Sequence, residues 1–198
     1  GSRARRGRRE PVSGPKQRDA GRSPATGATA RGPRRASARS AGNEAVSYRI
    51  VPIDPHAHLF EVTATIAEPD PGGQQVALPA WVPGSYMIRE FARHVVSISA
   101  RSAGRAVRLR KLDKHSWQAA RCDGPLVIVC TVYAWDLSVR AAHLDATHGF
   151  FNGTSVFLRA IGQDDRPCDV TIEPPPGAAY ADWRVATTLP EAGARRHG

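Results

Sequence analysis

The sequence predicts an all-β fold: an antiparallel β-sandwich-like domain of about eight to ten strands with one short helical turn, preceded by a disordered tail. Three observations carry that prediction. Residues 59–66 alternate between apolar and polar, residues 126–135 form a continuous run rich in β-branched residues and apolar on both faces, and clusters of Pro, Gly and Asp punctuate the chain at the spacing of short strands.

In the first of these segments Phe60, Val62, Ala64 and Ile66 fall on one face, with Glu61, Thr63 and Thr65 on the other. A half-buried strand needs that period of two. Pro69-Asp70-Pro71-Gly72-Gly73 then turns the chain into a strand at 76–78. Segments 95–100, 107–109 and the stretch around Trp117 read as further short strands, separated by turns at Ala103-Gly104 and Asp113. The run 126–135 is apolar at successive positions, as a central strand covered on both faces would be. Strands at 154–161, 168–172 and 183–186 complete the set, the last two divided by Pro174-Pro175-Pro176-Gly177. Helical spacing occurs only at Ile88, Phe91 and Val95, enough for a turn or two.

The net charge of +10 resembles that of a nucleic-acid binder until it is located. Residues 1–42 hold 12 Lys and Arg against Glu10 and Asp19, whereas residues 43–198 hold 16 of each sign. The tail also has Val12 as its only large aliphatic residue and no aromatic one. It cannot bury enough apolar surface to offset the cost of ordering its backbone, roughly 1–2 kcal/mol per residue. The boundaries are therefore 1–42 for a disordered basic tail and 43–198 for the β-domain.

The plainest reading of the tail is upstream sequence with no role of its own. A nucleic-acid arm using Arg3, Arg5, Arg6, Arg8 and Arg9 with Arg31, Arg34 and Arg35 is a lesser alternative. So is a targeting peptide, although the tail lacks an apolar core segment and amphipathic periodicity. No stretch approaches the roughly 20 apolar residues that span a bilayer, so no membrane partner is expected. Cys122, Cys130 and Cys168 form no C-x-x-C pair, which argues against a disulfide framework or a zinc site and for a reducing, cytoplasmic location.

The chemistry-bearing motifs are few. There is no H-E-x-x-H, no G-x-S-x-G and no phosphate-cradling glycine loop, so no catalytic residue and no cofactor is assigned to this chain. His56 and His58 form an H-x-H pair, which on a strand would share one face. His143 and His148 flank Asp145, a possible metal set that reads more plainly as a loop whose side chains satisfy backbone groups. Asn152-Gly153 reads as a turn with positive φ. Two segments, 79–94 and 134–140 leading into 148–154, are denser in unusual residues than a sandwich needs. They supply the candidates for a substrate cleft or interdomain contact: Tyr86, Arg89, Arg93, Asn152 and Thr154. From the residues alone, packing and loop anchoring are the plainer role.

Trp81-Val82-Pro83-Gly84-Ser85-Tyr86-Met87-Ile88-Arg89-Glu90-Phe91-Ala92-Arg93, Tyr133-Ala134-Trp135-Asp136-Leu137-Ser138-Val139-Arg140 and Gly149-Phe150-Phe151-Asn152-Gly153-Thr154-Ser155 resemble the N-terminal domain of the glycyl aminopeptidase family. Those are zinc metallopeptidases with a thermolysin-like catalytic domain and usually a C-terminal PDZ domain. The resemblance runs from about Tyr48 to the C-terminus. It implies a β-rich domain that packs on a catalytic domain of the same polypeptide and shapes the cleft for peptide N-termini, with zinc held by the parent enzyme beyond Gly198. The chain alone is not expected to be an enzyme. Two other classes remain: a free-standing β-sandwich that binds a peptide or protein, and nucleic-acid binding through the tail.

Overall fold

A computed structural model describes residues 46–191; the tail 1–42 lies outside the described residues. The chain runs through β1 (Val46–Asp54), β2 (Leu59–Ile66), β3 (Gln75–Ala77), a 3-10 turn (Phe91–His94), β4 (Val95–Ser102), β5 (Arg105–Val107), β6 (Leu109–Lys111), β7 (Ser116–Ala119) and β8 (Leu126–Tyr133). It continues through β9 (Ala142–Leu144), β10 (Gly149–Phe151), α1 (Gly153–Val156), β11 (Arg159–Ala160), β12 (Cys168–Ile172) and a second 3-10 turn (Ala178–Tyr180). The fold is all-β and sandwich-like. Among the described residues there are twelve strands rather than eight to ten, because several are pieces of two or three residues.

A six-stranded sheet in the order β12-β1-β2-β8-β4-β5 carries most of the structure. A four-stranded sheet, β11-β3-β7-β6, and the hairpin β10-β9 complete it. The alternation read at 59–66 becomes the burial pattern of β2, whose Phe60, Val62, Ala64 and Ile66 are all buried. β8 is the central strand that its composition predicts, lying between β2 and β4. Only Leu126, Ile128, Cys130 and Val132 are buried, however; Val127, Val129 and Thr131 on the other face are half-buried.

Register explains how the inner face packs. One row across the large sheet runs Val170, Tyr48, Ala64, Ile128, Ala100, Val107, so that from Tyr48 onward large and small side chains alternate from strand to strand. Each alanine leaves room for its larger neighbours, the interdigitation that brings a core to close-packed density. Tyr48 reaches out of this row, donates its hydroxyl proton to Leu158 O at 2.7 Å and packs on Phe157 at 4.9 Å between ring centres. Burial pushes its pKa up to about 12.

Several expectations are corrected. β12 pairs with β1 in parallel, Val46 facing Cys168 and Ile50 facing Ile172, so the large sheet is mixed although mainly antiparallel. The strand read at 107–109 is the junction of two: β5 pairs with β4 in the large sheet, and β6 pairs with β7 in the other. Arg108 alone separates them. At 154–161 the chain first makes α1, because Asn152 caps the backbone there, and only Arg159–Ala160 is strand. No strand forms at 183–186. Pro174, Pro175 and Pro176 supply no amide donors for a ladder, and the chain closes into the second 3-10 turn instead. The helical spacing at Ile88 yields only the four-residue turn Phe91–His94, with Ile88 outside it and exposed. Among the described residues no helix is long and apolar enough to cross a membrane.

Candidate functional site

The two segments singled out in the sequence meet at one end of the large sheet. Residues 79–90 form an irregular strap whose turns are closed by Ser85 N donating to Val82 O at 3.0 Å and Arg89 N donating to Ala80 O at 2.7 Å. Gly84 takes φ +79, which lets the strap reverse at Pro83-Gly84. The second strap, 135–141, is held by Asp136 Oδ1, which accepts from Ser138 N at 2.8 Å, and by Ala141 N donating to Ser138 O. Arg89 joins the two: its Nε lies 3.4 Å from Ser85 Oγ and a terminal nitrogen 3.5 Å from Ser138 Oγ.

Between the straps lies a cleft of about 420 Å³, lined by Met87, Ile88, Arg89, Phe91, Arg93 and Asp136 together with Glu90 and His94. Arg93 donates from Nε to His94 Nε2 at 3.1 Å, its single side-chain hydrogen bond among the described residues. Among the described residues neither Arg89 nor Arg93 has a carboxylate within 4 Å, in contrast to Arg49, Arg159 and Arg166, which do. Glu90 is spoken for by Lys114, at 2.7 Å, whose hydrogen bond holds its pKa low. Burial, followed by the charge on Arg93, lowers the pKa of His94, so the imidazole leaves the cleft's positive charge to the two guanidiniums. Two unpaired guanidiniums in a concave site can take up a carboxylate; they supply no nucleophile.

The straps are also where apolar side chains face solvent. Tyr86 is fully exposed, Ile88 is 75% exposed, Leu137 71% and Val139 77%, with Trp81, Met87 and Trp135 more than half exposed. Tyr133, His58, Trp135 and His143 stand in succession behind them, with ring centres 5.9, 3.9 and 4.8 Å apart.

Of the five predicted site residues, the structure brings Arg89 and Arg93 into the cleft and leaves Tyr86 beside it in solvent. Asn152 and Thr154 do not line it. Asn152 has φ −89, not the positive value expected, and serves as N-cap of α1: its Oδ1 accepts from Thr154 N at 3.1 Å and Thr154 Oγ1 at 2.7 Å. Replacing Asn152 with alanine is therefore expected to cost about 1 kcal/mol, the usual value of an N-cap. Urea denaturation would measure it, and a change below about 0.3 kcal/mol would show that the cap is dispensable. Asp136, Ser138 and His94 were missed by sequence reasoning. Asp136-Leu137-Ser138 has the spacing of an Asx turn, which was the available signal.

The H-x-H pair lies in the turn between β1 and β2, not on a strand. His58 adopts φ +62 and its Nδ1 is 2.7 Å from Leu144 O, while His56 is exposed. Asp54 Oδ1 closes this turn on the amides of His56 and Ala57. His143, Asp145 and His148, by contrast, do come together, with one possible ligand atom of each within 4.8 Å of the others.

The sequence profile of the family described as "Peptidase M61 N-terminal domain" matches residues 47–197. Five chains of solved structures match. One is the crystal structure of an aminopeptidase N family protein from Idiomarina loihiensis, 45% identical, with a TM-score of 0.64 over 66% of this chain and 22% of that one. This chain thus spans about a fifth of the length of that relative. No curated protein matches.

Proposed function

The chain belongs to the peptidase M61 N-terminal domain family, and from that premise we propose that it is the non-catalytic N-terminal domain of a zinc aminopeptidase of the glycyl type. In this reading the two straps pack against a catalytic domain of the same polypeptide and form one wall of the cleft that receives peptide N-termini. The domain boundary is at about residue 43, zinc belongs to the catalytic part, and the enzyme acts in the cytoplasm.

The observation that carries the proposal is the concentration of exposed apolar side chains on both straps, at Trp81, Met87, Ile88, Trp135, Leu137 and Val139. Scattered exposed apolar residues need no explanation, but a contiguous set rimmed by polar groups marks an interface. An exopeptidase must close its cleft beyond the first residues of the substrate, and a neighbouring β-domain carrying two unpaired arginines suits that wall. Arg89 and Arg93 would there meet a carboxylate, from the substrate or from the facing domain.

The full-length polypeptide is expected to release N-terminal Gly or Ala from short peptides and to lose that activity on chelation. Residues 1–198 alone should release nothing. An Arg89→Ala, Arg93→Ala double variant of the full-length protein should raise KM about tenfold, equivalent to roughly 1.4 kcal/mol. A full-length protein without aminopeptidase activity would overturn the reading.

A further inference from the structure

The hairpin β9-β10 carries the sequence His143-Leu144-Asp145-Ala146-Thr147-His148, closed by the pair Leu144–Gly149 and by Asp145 N donating to His148 O at 2.9 Å. We propose that His143, Asp145 and His148 form a binding site for a divalent ion of borderline softness, Zn²⁺ or Co²⁺. The proposal stands apart from the peptidase reading and concerns residues of this chain only.

The three side chains are arranged as ligands rather than merely near one another. Asp145 Oδ2 lies 3.2 Å from His143 Nε2, and Oδ1 lies 3.4 Å from His148 Nδ1. Ligand atoms around a tetrahedral zinc at about 2.1 Å are roughly 3.4 Å apart, so the His143 Nε2–Asp145 Oδ2 pair already suits an ion, and His148 Nε2 joins it by rotation of its ring. Two imidazoles and a carboxylate, with water completing the shell, are a donor set for zinc-like metals rather than for calcium or magnesium.

The protonation pattern is equally specific. The Thr147 hydroxyl has one proton, and at 2.7 Å it donates it to Asp145 Oδ1. In its 3.0 Å contact with His148 Nδ1 the same oxygen must therefore accept, which puts the His148 proton on Nδ1 and leaves Nε2 a bare lone pair. An imidazole whose second nitrogen is held by the protein is the usual state of a metal ligand. Asp145 is fixed as an acceptor: its Oδ1 takes hydrogen bonds from the Thr147 hydroxyl and amide and from the His148 amide, which leaves Oδ2 facing His143.

His143 supplies the rigid ligand and His148 the movable one. The His143 ring is buried, set between Trp135 at 4.8 Å and Phe150 at 5.8 Å. Its Nε2 donates to the Asp145 carboxylate, which leaves Nδ1 a buried lone pair without a partner; a cation taking Nε2 would shift that proton to Nδ1. His148 is half exposed on the solvent side, with room to turn about its Cα–Cβ bond and bring Nε2 to an ion.

The test uses chain 1–198 stripped by chelator and titrated with Co²⁺ and Zn²⁺ at pH 7.5. Residues 1–45 contain no histidine or cysteine and contribute no competing ligand of that kind. One equivalent of Co²⁺ should bind with visible d–d absorption, and Zn²⁺ should displace it. His148→Ala and Asp145→Asn should each weaken binding at least tenfold. His56→Ala, His115→Ala and His197→Ala should leave it unchanged. His148 is half exposed, so its variant should keep the parent circular-dichroism spectrum. Absence of stoichiometric binding, or binding that a folded His148→Ala variant retains in full, would overturn the proposal.

Discussion

Replacing Ile128 with alanine is expected to destabilise the domain by roughly 4 kcal/mol, toward the upper end for deletions of a buried aliphatic side chain. Ile128 is fully buried on the central strand β8, and its neighbours in register on both sides are alanines, Ala64 and Ala100. The isoleucine fills the width of three strands. When it is shortened, no adjacent side chain in the row is long enough to collapse into the gap, so the cavity remains and its full cost is felt. For a domain of this size the melting temperature should drop by about 10 °C. Val129→Ala, one residue along on the half-buried face, should cost about 1 kcal/mol or less. Thermal and urea denaturation followed by circular dichroism measure both. Equal losses at the two positions would contradict the packing described.

The second large effect is expected at Gly73, where alanine should cost about 3 kcal/mol. Gly73 has φ +108, and a Cβ built on it would lie 2.5 Å from the backbone oxygen of Ala119. Flexible side chains can retreat from such a contact, but β7 cannot. Gly73 N closes the turn by donating to Asp70 O at 2.8 Å, and the turn is tied to β7 by Gln118 Nε2 donating to Gly73 O at 2.7 Å and Ala119 N donating to Gln74 O at 2.8 Å. Gly84 and Gly104 are the comparison. Their φ values are +79 and +76, with nothing within 4 Å of an added Cβ, and alanine there should cost only the left-handed backbone, roughly 1–2 kcal/mol. The difference between Gly73→Ala and Gly104→Ala isolates the steric part, and denaturation midpoints that coincide would rule it out.

What was readable in the sequence and what was not follows from the range of the forces involved. β2 and β8 are legible because burial acts residue by residue on an extended chain, leaving its period at 59–66 and its apolar density at 126–133. β9 and β10 are not, because Ala142-His143-Leu144 and Gly149-Phe150-Phe151 are too short to show a period and form only by pairing with each other. The parallel placement of β12 has no local signature at all, since its partner lies at the other end of the domain. At the cleft, Arg89 and Arg93 were legible as cations in a motif dense in apolar and aromatic residues. Asn152 and Thr154 stood out for the same kind of reason, yet the structure spends both on capping α1. A polar residue beside a glycine serves the backbone as readily as a ligand, and sequence spacing does not distinguish the two.

The pairing of β1 with β12 has a consequence for how the protein is made. Ribosomes deliver β1 and β2 early, but the outer edge of β1 waits for a strand encoded about 120 residues later. Contacts of such separation form slowly, because a long loop must close before they are rewarded. Until Cys168–Ile172 has emerged, the nascent chain carries an open row of amides and carbonyls that any other extended segment can pair with. Among the described residues, the last strand to leave the exit tunnel is thus the one that seals the first.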